Sequence, residues 1–204
     1  MLEPSKGIVT FRAEGNNIRG NPYYSRVIHW PGIARQCEAR GSASGVTIGR
    51  GFDMRERSKE SILHDLRISG IPFEQASKIS LAARVHNCNA LAFVRKYRDD
   101  IGEINEIQQL KLFNITYLKY VSNAERIYTR YKKPNSPSWS SLNERIKEIF
   151  VDMIYQGVLN VRLGDILPFE RNDIESVVSF ISSNRRINQY EPGRNRIRFL
   201  RDGI

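Results

Sequence analysis

Residues 41–54 read Gly-Ser-Ala-Ser-Gly-Val-Thr-Ile-Gly-Arg-Gly-Phe-Asp-Met, and this stretch decides how the rest of the chain is interpreted. The glycine and serine residues at its start predict a turn. After the turn, Val46, Ile48 and Phe52 alternate with polar or small residues, which predicts a short, half-buried β-strand. The polar face of this strand carries Thr47. We therefore expect a hydroxyl-bearing strand next to a turn.

The stretch is unusually rich in glycine. Gly45, Gly49 and Gly51 stand where a core strand would carry bulky side chains, which is typical of a tight bend or of a backbone that a ligand approaches closely. Asp53 follows at the end of the strand. Two interpretations stay open: a Gly-rich edge hairpin whose Asp53 caps the next helix, or a ligand-binding strand that presents a hydroxyl and a carboxylate.

Length and charge set the broad class. A chain of 204 residues can bury a full core, so a single domain with a helical body and a small β lobe is the default expectation. Lys and Arg number 32 against 22 Asp and Glu, which gives a formal net charge of +10. This balance favours a polyanionic partner, and charge alone does not choose among nucleic acid, anionic lipid and a carboxylate-rich cell wall.

The cysteines and histidines exclude several classes of site. Cys37 and Cys88 are too few for a disulfide framework, and whether they form one disulfide stays open. His29, His64 and His86 lie on separate predicted elements without an H-E-x-x-H signature, which argues against a metallopeptidase or a metal-dependent amidase. We therefore expect no metal and no organic cofactor.

The N-terminus and the hydropathy pattern bear on location. Residues 1–10 lack the apolar segment of a secretion signal, and no run approaches the ~18 apolar residues of a membrane span. We expect a protein without a membrane span that is made in the cytoplasm.

Glu14 is the first candidate for acid chemistry. Residues 8–13 predict the end of a short helix, and Gly15 stands where a helix is commonly stopped. An ionised carboxylate near a helix C-terminus meets the negative end of the dipole, which raises its pKa toward that of a general acid. The alternative is a solvated surface carboxylate.

A polar, aromatic loop over residues 16–44 separates Glu14 from the glycine-rich stretch. Tyr23, Tyr24 and Trp30 are candidates to stack on sugar rings, and half-buried loop anchors are the alternative. Glu38 is the other carboxylate of this loop. We interpret it as a solvated charge, with partnership to Glu14 as the alternative.

The remainder is predicted to be helical. Apolar residues at three- and four-residue spacing predict helices over 56–69, 73–85, 87–97, 104–131, 142–159 and 174–181, and a short helical stretch is predicted around 33–40. The basic tail, residues 185–201, predicts a solvated helix face, with direct contact to an anionic surface as the alternative.

A resemblance adds to these observations. Gly45-Val-Thr-Ile-Gly-Arg-Gly-Phe-Asp53, preceded by Arg12-Ala-Glu14-Gly15 and Trp30-Pro31-Gly32, resembles the muramidase domain of pesticin and related phage-lysozyme-like enzymes. The resemblance implies an α+β, mostly α-helical, lysozyme-like fold: a helical body with a small β-hairpin lobe that flanks the active-site cleft. It implies a single domain over 1–204, with the β lobe around 16–54 and the helical lobe over 55–204.

The resemblance also implies residue roles. Glu14 is the acid, Thr47 holds the attacking water, and Asp53 is the second carboxylate. Tyr24, Trp30 and Gly49 are then expected to contact substrate. Gln156, in Asp152-Met-Ile-Tyr155-Gln-Gly157, stands where these enzymes usually carry a cleft-lining Asn.

The function that this implies is hydrolysis of the β-1,4 bond between N-acetylmuramic acid and N-acetylglucosamine in peptidoglycan. Such a glycoside hydrolase would be an antibacterial bacteriocin, secreted effector or phage endolysin, acting as a monomer in the periplasm or cell wall of a target bacterium after lysis or dedicated secretion. A toxin would imply a cognate immunity protein.

Two alternatives stay open. One is a chitinase or chitosanase on the same scaffold. The other is a basic nucleic-acid-binding module, favoured by tyrosines interleaved with Arg and Lys over 117–133. Because no helix-turn-helix, zinc-finger or RNA-binding signature is present, no nucleic-acid partner is expected.

Overall fold

The computed structural model describes residues 2–38 and 44–203. Within these residues the chain is mostly α-helical and contains one two-stranded antiparallel sheet, so the predicted α+β, mostly α-helical class is confirmed. The first elements are α1 (Ile8–Ala13), β1 (Thr47–Ile48), β2 (Phe52–Asp53), α2 (Lys59–Ile68), α3 (Phe73–Ser80), α4 (Asn87–Ile101) and α5 (Glu106–Tyr131). They are followed by α6 (Glu144–Gln156), α7 (Leu167–Glu170), α8 (Ile174–Ser183), α9 (Arg185–Asn188), α10 (Glu191–Arg194) and α11 (Arg196–Asp202).

The chain divides into two compact units. The first comprises Met1–Glu3 and Glu14–Thr116, and the second comprises Pro4–Ala13 and Tyr117–Ile204. This division differs from the predicted lobes over 16–54 and 55–204, because helices α2 to α4 belong to the first unit. That the whole chain forms a single domain stays a prediction.

The glycine-rich stretch forms a hairpin, as the hairpin interpretation of this stretch predicted. Thr47 pairs with Asp53 and Ile48 pairs with Phe52, and the chain reverses over Gly49 and Gly51, which have φ of +63° and +83°. These backbone angles strongly favour glycine. The glycines therefore serve the turn.

The predicted polar face is also buried. Thr47 is only 4% exposed, because β1 is covered on its other side by residue 29. The backbone N–H of His29 donates to the carbonyl of Thr47, and the N–H of Thr47 donates to the carbonyl of His29, both at 2.8 Å. Thr47, the residue of the predicted polar face, is therefore buried in the structure.

An apolar core holds the hairpin in the first unit. It contains buried residues of the hairpin, of the loop before it and of helices α2 to α4, among them Ile28, Val46, Ile48, Phe52, Met54, Ile62, Leu66, Ile79 and Val94. Ser58 caps α2 by accepting from the N–H of Ser61 at 3.2 Å. Helix α3 ends at Ser80, five residues before the predicted end, and the chain continues in tight turns in which the N–H groups of Ala82 and Ala83 donate to carbonyls three residues earlier. Arg84 then has a φ of +60°, and its N–H donates to the carbonyl of Met54.

Cys37 and Cys88 form a disulfide, which settles the pairing that the sequence left open. The bridge joins the loop before the hairpin to helix α4 across a sequence separation of 51 residues. A loop of this length corresponds to about 4 kcal/mol of stabilisation in the chain-entropy model. The short helical stretch predicted around 33–40 is a 3-10 turn over Ala34–Gln36, and residues 39–43 lie outside the described part of the chain.

The second unit is built around α6. Asn143 caps this helix by accepting from the N–H of Arg145 at 2.9 Å, and Gly157 ends it in the left-handed conformation. Aromatic rings pack edge-on beside it, with Phe150 next to both Tyr128 and Phe169. In the described residues, no helix combines the length and the apolar character needed to cross a membrane.

Candidate functional site

Glu14 directly follows helix α1 and is half-buried. The next residue, Gly15, has φ of +141°, a conformation that favours glycine, and its carbonyl accepts a hydrogen bond from the guanidinium of Arg50. Arg50 belongs to the hairpin turn and is 2% exposed. The backbone beside Glu14 is therefore bound to the hairpin.

A second set of contacts joins the residues after Glu14 to the same turn. The N–H of Gly49 donates to the carbonyl of Ser25 at 2.7 Å, and the N–H of Ser25 donates to the carbonyl of Asn16 at 3.1 Å. Gln109 completes the set, since it accepts from the Ser25 hydroxyl and donates to Asn17 Oδ1, both at 2.8 Å. Gly49 thus acts through its backbone N–H in the structure.

The Arg50 guanidinium introduces a buried charge beside Glu14. Burial lowers its pKa to about 10, while the carboxylates of Glu106, Glu14 and Glu3 act in the opposite direction. Arg50 therefore remains protonated at neutral pH. Its positive charge attracts the Glu14 carboxylate.

Thr47 and Asp53 are brought together as a cross-strand pair. Both carboxylate oxygens of Asp53 accept from backbone N–H groups: Oδ1 from Arg55 at 2.8 Å and Oδ2 from Gly45 at 3.3 Å. The Thr47 hydroxyl donates to the Gly45 carbonyl across a long 3.4 Å. The hairpin backbone consequently orients the Asp53 carboxylate, while the Thr47 hydroxyl is only weakly held.

Gly45 explains how the carboxylate fits. A Cβ atom at this position would lie 2.7 Å from Arg55 Cβ and 2.8 Å from Arg55 N, and it would overlap the Asp53 carboxylate. The close approach that the sequence indicated at Gly45 is therefore an approach by the protein's own Asp53.

His29 is a titratable neighbour that sequence reasoning left outside the site. Its Nδ1 lies 3.0 Å from the carbonyl of Val27, and because a carbonyl only accepts, Nδ1 carries the proton. Burial lowers the pKa of the imidazole, and the Asp53 carboxylate partly offsets this effect. His29 is therefore neutral at pH 7. No sequence motif signals this placement, which arises from the pairing of residue 29 with β1.

Tyr24 is buried, and its hydroxyl donates to Glu103. This hydrogen bond, together with those from Arg19 and Arg26, lowers the pKa of the Glu103 carboxyl to about 2. The Tyr24 ring therefore anchors the loop, as the alternative interpretation of this residue predicted.

Trp30 is also an anchor in the described structure. It is 8% exposed, and its indole N–H donates to the backbone carbonyl of Ser44 at 2.9 Å. Tyr23, in contrast, is 74% exposed and is the loop ring that faces solvent. The alternative second carboxylate, Glu38, is exposed at the end of the same loop.

Gln156 lies in the second unit, where its side chain accepts from Arg196. Arg196 is fully buried and also donates to Asp152 at 2.6 Å, and Asp152 accepts from Arg194 at 2.7 Å and from the Thr10 hydroxyl at 2.8 Å. The prediction of a solvated basic tail is therefore wrong for these arginines, because they compensate a buried carboxylate. Thr10 and Asp152 are 142 positions apart, so no local pattern signals the contact.

The site contains carboxylates, a hydroxyl and a buried cation. In residues 2–38 and 44–203, no group of three or more His, Cys, Asp or Glu side chains is placed to hold a metal ion. The chemistry available to these residues is proton transfer and the orientation of a water molecule.

Comparison with known proteins gives one family. No curated protein matches the chain. The model of a family described as a domain of unknown function, DUF8812, matches residues 7–191, a range that includes Glu14, Thr47 and Asp53. The chain belongs to the DUF8812 family.

Proposed function

We propose that this protein is a muramidase with a lysozyme-like fold, which hydrolyses the β-1,4 bond between N-acetylmuramic acid and N-acetylglucosamine in peptidoglycan. One observation carries the proposal: the backbone beside Glu14 is hydrogen-bonded to the turn of the hairpin on which Thr47 and Asp53 form a cross-strand pair. Three residues that the resemblance assigns to one reaction therefore belong to one connected structure in the first unit.

Glu14 acts as the general acid. Glycosidic cleavage requires a protonated carboxyl that donates to the leaving oxygen. Glu14 is half-buried at the end of α1, and a substrate that excludes water from it would favour its protonated form. Arg50 keeps the adjacent backbone in place and limits how far the carboxyl can move.

Asp53 is the ionised partner. Its two backbone hydrogen bonds orient the carboxylate, so that it can orient a water molecule or stabilise the developing oxocarbenium ion. Thr47, whose hydroxyl both donates and accepts, positions that water. The long contact of its hydroxyl with Gly45 costs little to exchange for a substrate-bound water.

The charge and the disulfide agree with a cell-wall substrate. A net charge of +10 favours a wall that carries peptide carboxylates and phosphates. The Cys37–Cys88 disulfide favours an oxidising compartment such as the periplasm. We propose antibacterial action there, as a bacteriocin, a secreted effector or a phage endolysin.

The test is release of muropeptides from purified sacculi by the wild-type protein and three variants: Glu14→Gln, Asp53→Asn and Thr47→Ala. We expect disaccharide-peptides with a reducing N-acetylmuramic acid end. Glu14→Gln should lower the rate by about 10²- to 10⁴-fold, and the other two variants should reduce it strongly. Circular dichroism and a thermal melt establish that each variant is folded.

Two further variants serve as controls. Glu56→Gln removes a carboxylate that is 83% exposed and should leave the rate unchanged. Glu38→Gln removes the alternative second carboxylate, and a loss of activity in this variant with full activity in Asp53→Asn would transfer the role of Asp53 to Glu38. If the protein cleaves chitin oligomers and releases nothing from sacculi, the substrate is chitin and not peptidoglycan. Cleavage of neither glycan would overturn the enzymatic proposal.

A further inference from the structure

His29, Thr47 and Asp53 form a row across three neighbouring backbone segments of the first unit. Residue 29 is bridged to Thr47 in the antiparallel sense, and Thr47 is paired with Asp53 across the hairpin. Residues that lie directly opposite each other in antiparallel pairing project from the same face. The imidazole and the carboxylate therefore stand on either side of the Thr47 hydroxyl.

The two pairings in this row are of different kinds. His29 and Thr47 exchange both backbone hydrogen bonds at 2.8 Å, and such a pair has Cα atoms about 5.5 Å apart. Thr47 and Asp53 are a non-hydrogen-bonded pair, since the bond beside them joins the N–H of Met54 to the carbonyl of Val46. The Cα atoms of a pair of this kind are about 4.5 Å apart, and the side chains lie closer together.

Contacts within the first unit agree with this arrangement. The carbonyl of Gly45 accepts from the Thr47 hydroxyl at 3.4 Å, and the N–H of the same residue donates to Asp53 Oδ2 at 3.3 Å. The imidazole responds to the same carboxylate. Burial lowers the pKa of His29, the charge of Arg98 on helix α4 adds to this effect, and Asp53 opposes it.

The Nε2 atom of His29 is an acceptor that the fold leaves open. Because Nδ1 donates its proton to the carbonyl of Val27 at 3.0 Å, Nε2 carries a lone pair. Within residues 2–38 and 44–203, no group donates a hydrogen bond to Nε2, and the side chain is half-buried. A neutral imidazole with one open ring nitrogen is suited to accept a proton.

We propose that His29 is a catalytic residue of the muramidase, and that its Nε2 accepts a proton from the attacking water. This inference rests on the proposed function and assigns one further role at the same site. The water is held by the Thr47 hydroxyl, between the imidazole and the Asp53 carboxylate. Thr47 is 4% exposed, so the small opening at its hydroxyl suits a water molecule better than a sugar ring.

The step conserves protons and charge. The water oxygen forms a bond to the anomeric carbon while the bond from that carbon to the leaving oxygen breaks, and Glu14 gives its proton to the leaving oxygen. One proton of the water passes to Nε2 of His29, which becomes an imidazolium. The Asp53 carboxylate stabilises this cation. Transfer of a proton from the imidazolium to Glu14 through solvent restores both groups.

Steady-state cleavage of soluble, peptide-free glycan strands tests this role, because it gives kcat and KM separately. His29→Asn keeps a side-chain N–H near the position of Nδ1 and removes Nε2. His29→Gln carries an amide oxygen that reaches the position of Nε2 and accepts a hydrogen bond without taking the proton. We expect kcat to fall about 10²-fold in both variants, with little change in KM. Circular dichroism establishes that each variant is folded.

His86→Asn is the matched control. His86 belongs to the same unit, and its Nδ1 lies 3.1 Å from the carbonyl of Arg84, two residues earlier, in the same way that His29 contacts Val27. Its backbone is bridged to Gly45 and not to Thr47. The kcat of His86→Asn should therefore equal that of wild type.

A pH profile of kcat/KM separates proton transfer from a structural role. The pKa of His29 lies below its ordinary value of 6.5, and the protonated imidazole accepts no proton, so the wild-type rate should fall as the pH drops through that pKa. In His29→Asn this fall should move to lower pH, where the Asp53 carboxylate becomes protonated. An unchanged acid limb in the variant would overturn the proposal.

The remaining outcomes are distinct from one another. Full kcat in His29→Asn would overturn the proposal and leave the muramidase intact. Full kcat in His29→Gln, with loss in His29→Asn, would limit His29 to orienting the water and overturn proton transfer. An equal loss in His86→Asn would assign the effect to a general disturbance of the hairpin. Wild type that cuts no glycan would overturn the muramidase and, with it, the role of His29.

Discussion

Asp53 in the first unit and Asp152 in the second unit are both carboxylates with several hydrogen-bond donors, yet they are held in opposite ways. Asp53 accepts from backbone N–H groups of its own hairpin, at residues 45 and 55. Asp152 is fully buried and accepts from side chains far away in sequence, namely Thr10, Arg194 and Arg196.

The difference separates a carboxylate suited to chemistry from one suited to structure. Within residues 2–38 and 44–203, backbone donors orient Asp53 and no cation is hydrogen-bonded to it, and the residue remains partly exposed. Its charge is therefore available for the role that we propose. Asp152 is ion-paired with two guanidinium groups, and the side chain of one of them, Arg196, is completely buried. Removing a buried partner of this kind leaves an uncompensated charge in the interior.

The largest effect is therefore expected at Asp152. Asp152→Asn preserves the shape of the side chain but leaves the Arg196 guanidinium buried without a counter-charge, which should cost about 3–5 kcal/mol of unfolding free energy. Urea denaturation followed by circular dichroism measures this loss. The control Glu175→Gln breaks the exposed pair with Arg201 and should change the midpoint little. A loss below 1 kcal/mol in Asp152→Asn would contradict the structural role that the comparison gives to Asp152.

A smaller effect is expected at Gly45. In Gly45→Ala the new methyl group would overlap Asp53 and Arg55, so the hairpin has to shift at a cost of about 1–3 kcal/mol. The muramidase activity of the folded variant should also fall, since the displaced carboxylate is the proposed catalytic one. Gly193→Ala provides the control for stability, because a methyl group there meets no atom within 4 Å. Full activity in Gly45→Ala would show that the position of Asp53 does not matter.

Glu103 is intermediate between Asp53 and Asp152, because it accepts hydrogen bonds from side chains while its own side chain is 30% exposed. The hydrogen bond from Tyr24 and those from Arg19 and Arg26 lower its pKa from 4.5 to about 2. Because the folded state holds this proton less tightly than the unfolded state, the stabilisation is fully present above pH 4.5 and is lost as the pH falls toward 2.

Urea midpoints of wild type and Glu103→Gln between pH 6 and pH 2 measure this contribution. We expect an advantage of about 1 kcal/mol for wild type at pH 6, which is modest because solvent screens the partly exposed group. The advantage should shrink as the pH falls. A constant difference over the whole range would mean that these hydrogen bonds do not depend on the charge of Glu103.

The smallest effect on stability is expected at Asp53 itself. Asp53→Asn retains an oxygen that accepts one of the two backbone hydrogen bonds, so the loss should be about 1 kcal/mol or less. The same substitution, Asp to Asn, is then expected to lower the activity at Asp53 and the stability at Asp152. Unfolding of Asp53→Asn to the extent expected for Asp152→Asn would abolish the distinction between the two carboxylates.

Local patterns predicted much of the fold. Six of the predicted helices are present, because each depends on apolar spacing within one segment, and some also begin at a local cap such as Ser58 or Asn143. The predicted helix over 73–85 is shorter in the structure, because the residues after Ser80 form tight turns and the N–H of Arg84 donates to the distant carbonyl of Met54. Among the site residues, Thr47 and Asp53 are paired by a turn whose glycines are visible in the sequence.

The local sequence did not predict whether the aromatic residues of the loop are buried or exposed. Tyr24 and Trp30 were expected to contact sugars, and the structure buries both rings in the first unit. Whether a loop aromatic faces inward or outward depends on partners such as Glu103, which stands 79 positions after Tyr24. Tyr23, the adjacent residue, faces solvent although its local sequence context is nearly the same.

The sequence by itself determined the helical class, the glycine-rich hairpin and the pairing of a hydroxyl with a carboxylate on it, since these follow from backbone preferences over a few neighbouring residues. Only the tertiary structure decided that Arg50 donates to the carbonyl next to Glu14 and that Cys37 and Cys88 form a disulfide. It also decided that Asp152 forms ion pairs with two arginines of the tail. The physical reason is that burial and ion pairing join residues that are distant in the chain. Which charges remain for a substrate is therefore set by packing.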